Sequence, residues 1–267
     1  MAEFITTEIH EQICHITLDR ADQRNALNWQ MIDELGEAID IAERAYLDGE
    51  ARVIFIKAAG RVFSSGIDLA SFVQESNPFG DNWQDNLFPT TYALQSVTNK
   101  IEDCSLPTFC LMQGYCLGLG LEIALACDFR IAAERTKMAL PESRLGMIPD
   151  VGGTTRLLRL VGPSRAKEII MTGGNIDITD AERWGLINYV VPKDELLSKA
   201  EERAKEIMLS APMAVSFTKR MINDMLDDRS NLKIEAWAQA QLLRTEDCRN
   251  GVNAMLTKTY PVEWKGK

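Results

Sequence analysis

The chain has 267 residues, 46% of them hydrophobic and 25% charged, which is enough apolar material for a folded core and argues against disorder. At that length the natural expectation is one large domain with a smaller appendage. A net charge of −10 argues against a nucleic-acid partner, which needs clustered Lys and Arg, but leaves room for an anionic ligand held by a few cations or helix N-termini.

The opening Met1-Ala2-Glu3-Phe4 has neither the basic region nor the apolar stretch of a secretory signal. Nowhere does a run approach the ~18 apolar residues of a membrane span. Together these predict a cytoplasmic protein without a membrane partner. Residues 4–9 and 13–18 alternate apolar and polar about Glu11-Gln12, predicting a hairpin of half-buried strands. Leu27, Met31, Leu35 and Ile39 then recur at steps of four and predict one apolar helix stripe. Val53, Ile54, Phe55 and Ile56 form a compact run of strand length, so the strand–helix–strand order predicts right-handed crossovers and a parallel sheet. Residues 70–86, with Ser76, Asn77, Pro78, Gly80 and Asp81 around Phe79 and Trp83, read as a mobile loop able to line a pocket. A buried strand over 108–112 leads into the glycine-rich stretch 114–120, then a helix over 121–127 and a strand over 129–133. Beyond Pro192 the pattern is helical, over 193–209, 212–226 and 232–243. The predicted organisation is an α/β core over residues 1–192 followed by a helical module over 193–267.

Several chemistries are excluded by what is missing. The two histidines, His10 and His15, both lie in the opening hairpin, so neither a histidine triad nor a two-histidine metal site is expected. Cysteines 14, 104, 110, 116, 127 and 248 show no Cys-x-x-Cys spacing and read as buried free thiols of a reducing compartment. Three segments remain. The stretch from Gly60 through Phe63, Ser64, Ser65, Gly66, Ile67 and Asp68 to Leu69 follows the buried strand over 53–56, where small residues permit close backbone approach; alone, it is an ordinary turn. Gly114, Gly118 and Gly120 lie at a strand-to-helix junction, which leaves helix N-terminal amides unpaired. The dinucleotide fingerprint fails there, because Ile123 holds the third glycine position and Glu122 puts a carboxylate where a pyrophosphate should lie. Glu122 reads equally as a dipole-stabilising group or as a costly buried acid with a chemical task. Glu142, after Pro141 at a helix start, and Asp150, before Gly152-Gly153, carry capping and turn readings of their own.

In this order and spacing the segments resemble the crotonase superfamily, the enoyl-CoA hydratase/isomerase family. The likeness covers nearly the whole chain, from about Ile13 to Pro261, and includes Asp19-Arg20 and Asn25-Ala26-Leu27, Phe63 to Asp68, Gly114 to Glu122 and Cys127-Asp128. It continues over Pro141-Glu142, Gly152-Gly153-Thr154 and Thr172-Gly173. No single motif is specific; the ordered set is. The resemblance implies a crotonase-like spiral core of ββα units with a helical C-terminal trimerisation module. It also implies an oxyanion hole made by the backbone amides of Ile67 and Leu119. Many relatives have glycine at the latter position, and the leucine is expected to narrow the pocket rather than abolish a backbone function.

By the same resemblance Glu122 activates water and Glu142 delivers a proton. Adding water across a 2,3 double bond needs one group to deprotonate water near C3 and another to protonate C2, while fixed N–H donors stabilise charge on the thioester oxygen. The implied activity is enoyl-CoA hydration. An enoyl- or dienoyl-CoA isomerase or a carnitinyl-CoA type dehydratase is the alternative, since Asp150 stands where many hydratases have glycine. Coenzyme A enters as part of the acyl-CoA substrate, with no separate cofactor or metal. Its expected contacts are Ser64, Ser65, Gly66, Ile67, Asp68 and Leu69, joined by Arg24 and, beside Trp264, Lys265. Family relatives imply a homotrimer or homohexamer.

Overall fold

The structure is a computed structural model that describes residues 3–73, 87–226, 229–260, 262 and 264–265. Of the loop expected over 70–86, residues 74–86 lie outside the described residues. Strands β1 (Ile5–His10) and β2 (Ile13–Leu18) form the expected antiparallel hairpin, with Ile5 opposite Leu18. Glu11 and Gln12 close it with φ of 48° and 63°, the doubly left-handed turn that matches strand twist. Helix α1 (Trp29–Leu47) starts at Asn28, whose side chain accepts the Met31 N–H at 2.9 Å. Leu27, expected on the α1 stripe, lies before this cap and instead forms a parallel bridge with Ile67. The stripe itself, Met31, Leu35 and Ile39, is buried.

Parallel pairing extends from β2 to β3 (Val53–Ala58), β4 (Thr108–Met112), β6 (Phe129–Ala133) and β8 (Tyr189–Val191), in sheet order β1-β2-β3-β4-β6-β8. Both faces of the central strands are covered, which is why β3 is an unbroken apolar run rather than an alternating one. Ile54 and Ile56 face α1, α3 (Leu87–Asp103) and α4 (Leu119–Ala126). Val53 and Phe55 face the opposite layer, where Phe55, Phe109 and Phe129 sit with successive ring centroids 5.5 and 4.6 Å apart. Helix α7 (Leu196–Met208) seals that layer with Leu196, Ala200 and Ala204, so the first long helix after residue 192 still packs on the sheet.

A second, shorter layer runs beside the main sheet. Its members are β5 (Tyr115–Leu117) and β7 (Lys137–Ala139), paired in parallel, with single bridges joining Leu27 to Ile67, Ser64 to Cys116 and Met138 to Ile176. The glycine-rich stretch thus contains a strand that periodicity did not predict. After β7 come α5 (Gly153–Thr172), α6 (Ile178–Arg183) and, following α7, helices α8 (Pro212–Met225), α9 (Arg229–Leu242) and α10 (Glu246–Thr257). A short helix, α2 (Leu69–Val73), precedes α3. All six cysteines are buried and free, and no helix among the described residues is long and apolar enough to cross a membrane.

Candidate active site

The second layer fixes the backbone of two segments. Gly66 accepts at its carbonyl from Leu27 N at 2.9 Å, and Asp68 N donates back to the Leu27 carbonyl at 2.9 Å. In a trans peptide the C=O and the following N–H point in opposite directions, so the Ile67 N–H faces away from Leu27. On the other segment, Gly118 accepts at its carbonyl from Leu121 N and Glu122 N at 2.8 and 3.0 Å. The Leu119 N–H therefore points out of the N-terminus of α4, as the first-turn donors of a helix do. Among the described residues neither amide has a hydrogen-bond acceptor.

Glycine is required where the two segments touch. Gly66 has φ 92°, and a Cβ there would lie 2.9 Å from the Leu117 carbonyl oxygen; one on Gly118, at φ 51°, would lie 2.9 Å from Glu142 Oε1. Behind them, Asn25 is fully buried and bonds Arg20 N, the Ala59 carbonyl and the Val62 carbonyl. The Ser64 hydroxyl donates to the Asn25 carbonyl at 2.8 Å and accepts from Gly66 N at 3.1 Å. Ser64, expected at coenzyme A, thus turns its side chain into the protein. Asp68 pairs with Arg20 at 2.7 Å, and Leu69 packs against Leu145, Met147 and Cys248. Arg24 is exposed and accepts Ser65 N at its carbonyl, beside the 64–69 segment; Lys265 is exposed at the start of α10, its N–H donating to Asp247.

The carboxylates come together. Glu122 sits on α4, whose eight residues are all buried, and its Oε1 accepts Val151 N and Gly153 N, both at 2.9 Å. Glu142 opens a 3-10 turn over Glu142–Leu145, and its Oε2 is buried without a hydrogen-bond partner among the described residues. Asp150 is buried, its Oδ2 accepting the Thr91 hydroxyl at 3.0 Å. A fourth acid was missed in the sequence: Glu235 on α9, 4% exposed, accepts Gly152 N and Thr155 N at 2.9 and 2.7 Å. Burial drives all four proton affinities upward. Glu142 is pushed up to about 8 and Asp150 to about 7. Glu122 lies well above the usual carboxylate range through burial and then the neighbouring charges of Glu142, Asp150 and Glu235. Among the described residues, no group of three His, Cys, Asp or Glu side chains has metal-binding geometry.

A family profile described as "Enoyl-CoA hydratase/isomerase" matches residues 8–267. The chain belongs to the enoyl-CoA hydratase/isomerase family. It is 36% identical over 253 residues, 94% of this chain and 81% of the relative, to "Probable enoyl-CoA hydratase 2, mitochondrial" of Arabidopsis thaliana. To a carnitinyl-CoA dehydratase of Citrobacter koseri it is 34% identical over 275 residues, covering all of both chains. The crystal structure of a carnitinyl-CoA hydratase from Mycobacterium avium superposes with a TM-score of 0.85 at 30% identity, again over the whole of both chains. The crotonase-like α/β architecture expected from the motifs is therefore the fold of this family member.

Proposed function

We propose that this chain hydrates 2-enoyl-CoA thioesters at the Glu122–Glu142 pair. One observation carries the reading: two buried carboxyl groups of raised proton affinity stand beside two backbone amides that have no acceptor among the described residues. The thioester oxygen takes the Ile67 and Leu119 N–H groups, and each such donor lowers the barrier by about 3–4 kcal/mol as enolate charge develops. Adding H–OH needs one base and one acid, and two carboxyls sharing a single proton supply both. Burial and like-charge neighbours hold Glu122 high while the Val151 and Gly153 amides stabilise its charged form, so the pair shares one proton and the base role is assigned to Glu122 by its aligned amides, the acid role to Glu142. Glu122 takes a proton from water as its oxygen bonds to C3, and Glu142 gives its proton to C2. The substrate is the acyl-CoA itself, coenzyme A being its carrier and no further cofactor being needed. Assembly as a trimer, or a pair of trimers, belongs to the same proposal and is supported by the exposed apolar face of α8.

Loss of the enoyl absorbance of crotonyl-CoA on adding purified protein tests the activity, with longer enoyl-CoAs as further substrates. A protein inert toward all of them removes the hydratase reading. Asp150 favours a second reading, an isomerase or carnitinyl-CoA type dehydratase, because a third buried acid hydrogen-bonded by Thr91 sits next to the pair. Asp150→Gly separates the two. A hydratase retains its crotonyl-CoA rate within about tenfold, the effect of removing one like charge from beside Glu122, whereas an isomerase or dehydratase using this proton carrier loses about 100-fold or more of that activity.

A further inference from the structure

We propose that Glu235, carried by the C-terminal helix α9, is a positioning residue that sets both the orientation and the proton affinity of Glu122. The turn entering α5 presents the N–H groups of Val151, Gly152, Gly153 and Thr155, and they are divided between two carboxylates. Val151 and Gly153 donate to Glu122; Gly152 and Thr155 donate to Glu235, which also takes the Thr155 hydroxyl. The N-cap residue of α5, Gly152 at φ 89°, has no side chain to cap with, so Glu235 supplies that cap from another helix.

Helix α9 holds this turn at two further points. Gln239, one helical turn from Glu235 and on the same face, accepts Ile148 N at 3.1 Å. The Leu232 carbonyl shares the Gln95 amide with the carbonyl of Asp150, at 3.1 and 2.6 Å. From behind, Arg156 donates to the Val151 carbonyl at 3.1 Å while pairing with Glu102 at 2.8 Å. The turn that aims two amides at Glu122 is thus strapped down by α9.

Among the described residues, the charged groups facing this cluster come from four elements. Glu122 meets Glu142 from the 3-10 turn, Asp150 from the turn before α5, and Glu235 from α9, all of like charge. Glu235 in turn meets Asp150 in repulsion and Arg156 in attraction. Neutralising Glu235 removes one like charge from Glu122, so the proton on Glu122 is released at lower pH.

The test is a titration that needs no substrate. Glutamate carboxyl carbons are labelled with 13C and followed by NMR against pH, with the Glu122 signal assigned by its loss in Glu122→Gln. In Glu235→Gln the Glu122 midpoint is expected to fall by about one pH unit. An unchanged midpoint in a folded variant overturns the proposal. Should circular dichroism show Glu235→Gln unfolded, Glu235→Asp, which withdraws the carboxylate by one methylene, is expected to shift the midpoint the same way by less. No shift there overturns the proposal equally. The kinetic arm rests on the hydratase reading: kcat for crotonyl-CoA falls about tenfold, KM stays within about twofold, and the acid limb of kcat/KM moves to lower pH. A loss of kcat with an unmoved acid limb marks a merely structural residue and also overturns the proposal. A parent protein that hydrates nothing defeats the hydratase reading but leaves the titration to decide the role of Glu235.

Discussion

At the scale of single residues, the chemistry depends on where one proton resides. Glu142 has no partner on Oε2 among the described residues and its proton affinity is raised to about 8, so near neutrality it favours the acid form that the proposed protonation of C2 requires. Replacing it by glutamine keeps the volume and removes the transferable proton. Turnover of crotonyl-CoA by Glu142→Gln is expected to fall by roughly 10²–10⁴-fold with binding of the thioester largely kept. Equal rates for variant and parent would take Glu142 out of the mechanism. In the parent, crotonyl-CoA turnover is expected to fall as pH rises through about 8, where the proposed acid ionises. Stability carries the same signature. A carboxyl whose folded affinity is raised from 4.5 to about 8 contributes fully below pH 4.5, and that contribution is lost as pH climbs through 8. Urea unfolding should therefore show Glu142→Gln gaining on the parent between pH 5 and pH 9. A stability difference that does not change with pH contradicts the buried-acid assignment.

Among the elements, close backbone approach positions the site, and close approach is sensitive to one methyl group. Gly153 begins α5, and a Cβ there would lie 2.5 Å from Glu122 Oε1, 2.7 Å from its Cγ and 2.9 Å from Pro149 Cβ. Gly153→Ala leaves the backbone unstrained but must displace Glu122, at a cost of about 1–3 kcal/mol in stability. Crotonyl-CoA turnover is expected to drop at least tenfold in folded protein, and a variant with parental kcat would show that the position of Glu122 is not critical. Such contacts also mark how far a sequence can be read. β2 was legible from its alternation and β3, β4 and α4 from compact apolar runs of strand or helix length, and Glu122 stood out as a charge inside such a run. Helix α3 was not, because its buried face interleaves Leu94, Val97 and Ile101 with Thr90, Thr91, Gln95 and Thr98. Helix α10 escaped for another reason: its buried face is Cys248, Gly251 and Ala254, too small to register as a stripe. Glu235 contacts Gly152 across 83 residues, a pairing that no local pattern encodes.

For the whole molecule, the contrast is between central strands buried on both faces and a helix that leaves its apolar side chains outside. Among the described residues α8 has no buried member, and Met213, Phe217, Met221 and Met225 are 66%, 61%, 52% and 76% exposed. The helix is held by polar groups instead. Lys219 pairs with Asp128 at 2.8 Å and donates to the carbonyls of Ile101 and Leu106, and Asn223 donates to the Glu102 carbonyl. Clefts of about 1090 and 630 Å3 border the same helix, away from the four acids. An apolar row of this extent on a monomer surface is the mark of an interface. Under the proposed assembly a second copy covers this row, each subunit of a closed ring presenting it to a different surface of its neighbour. Light scattering on a sizing column should therefore give three or six times the 29.9 kDa chain mass. Phe217→Glu with Met221→Glu places charge in the apolar row without touching Lys219 or Asn223. That variant should run as a monomer, with far-UV circular dichroism unchanged because the polar clamps survive. A parent that is already monomeric, or a double variant that still assembles, moves the interface off α8 and leaves its apolar row to another partner.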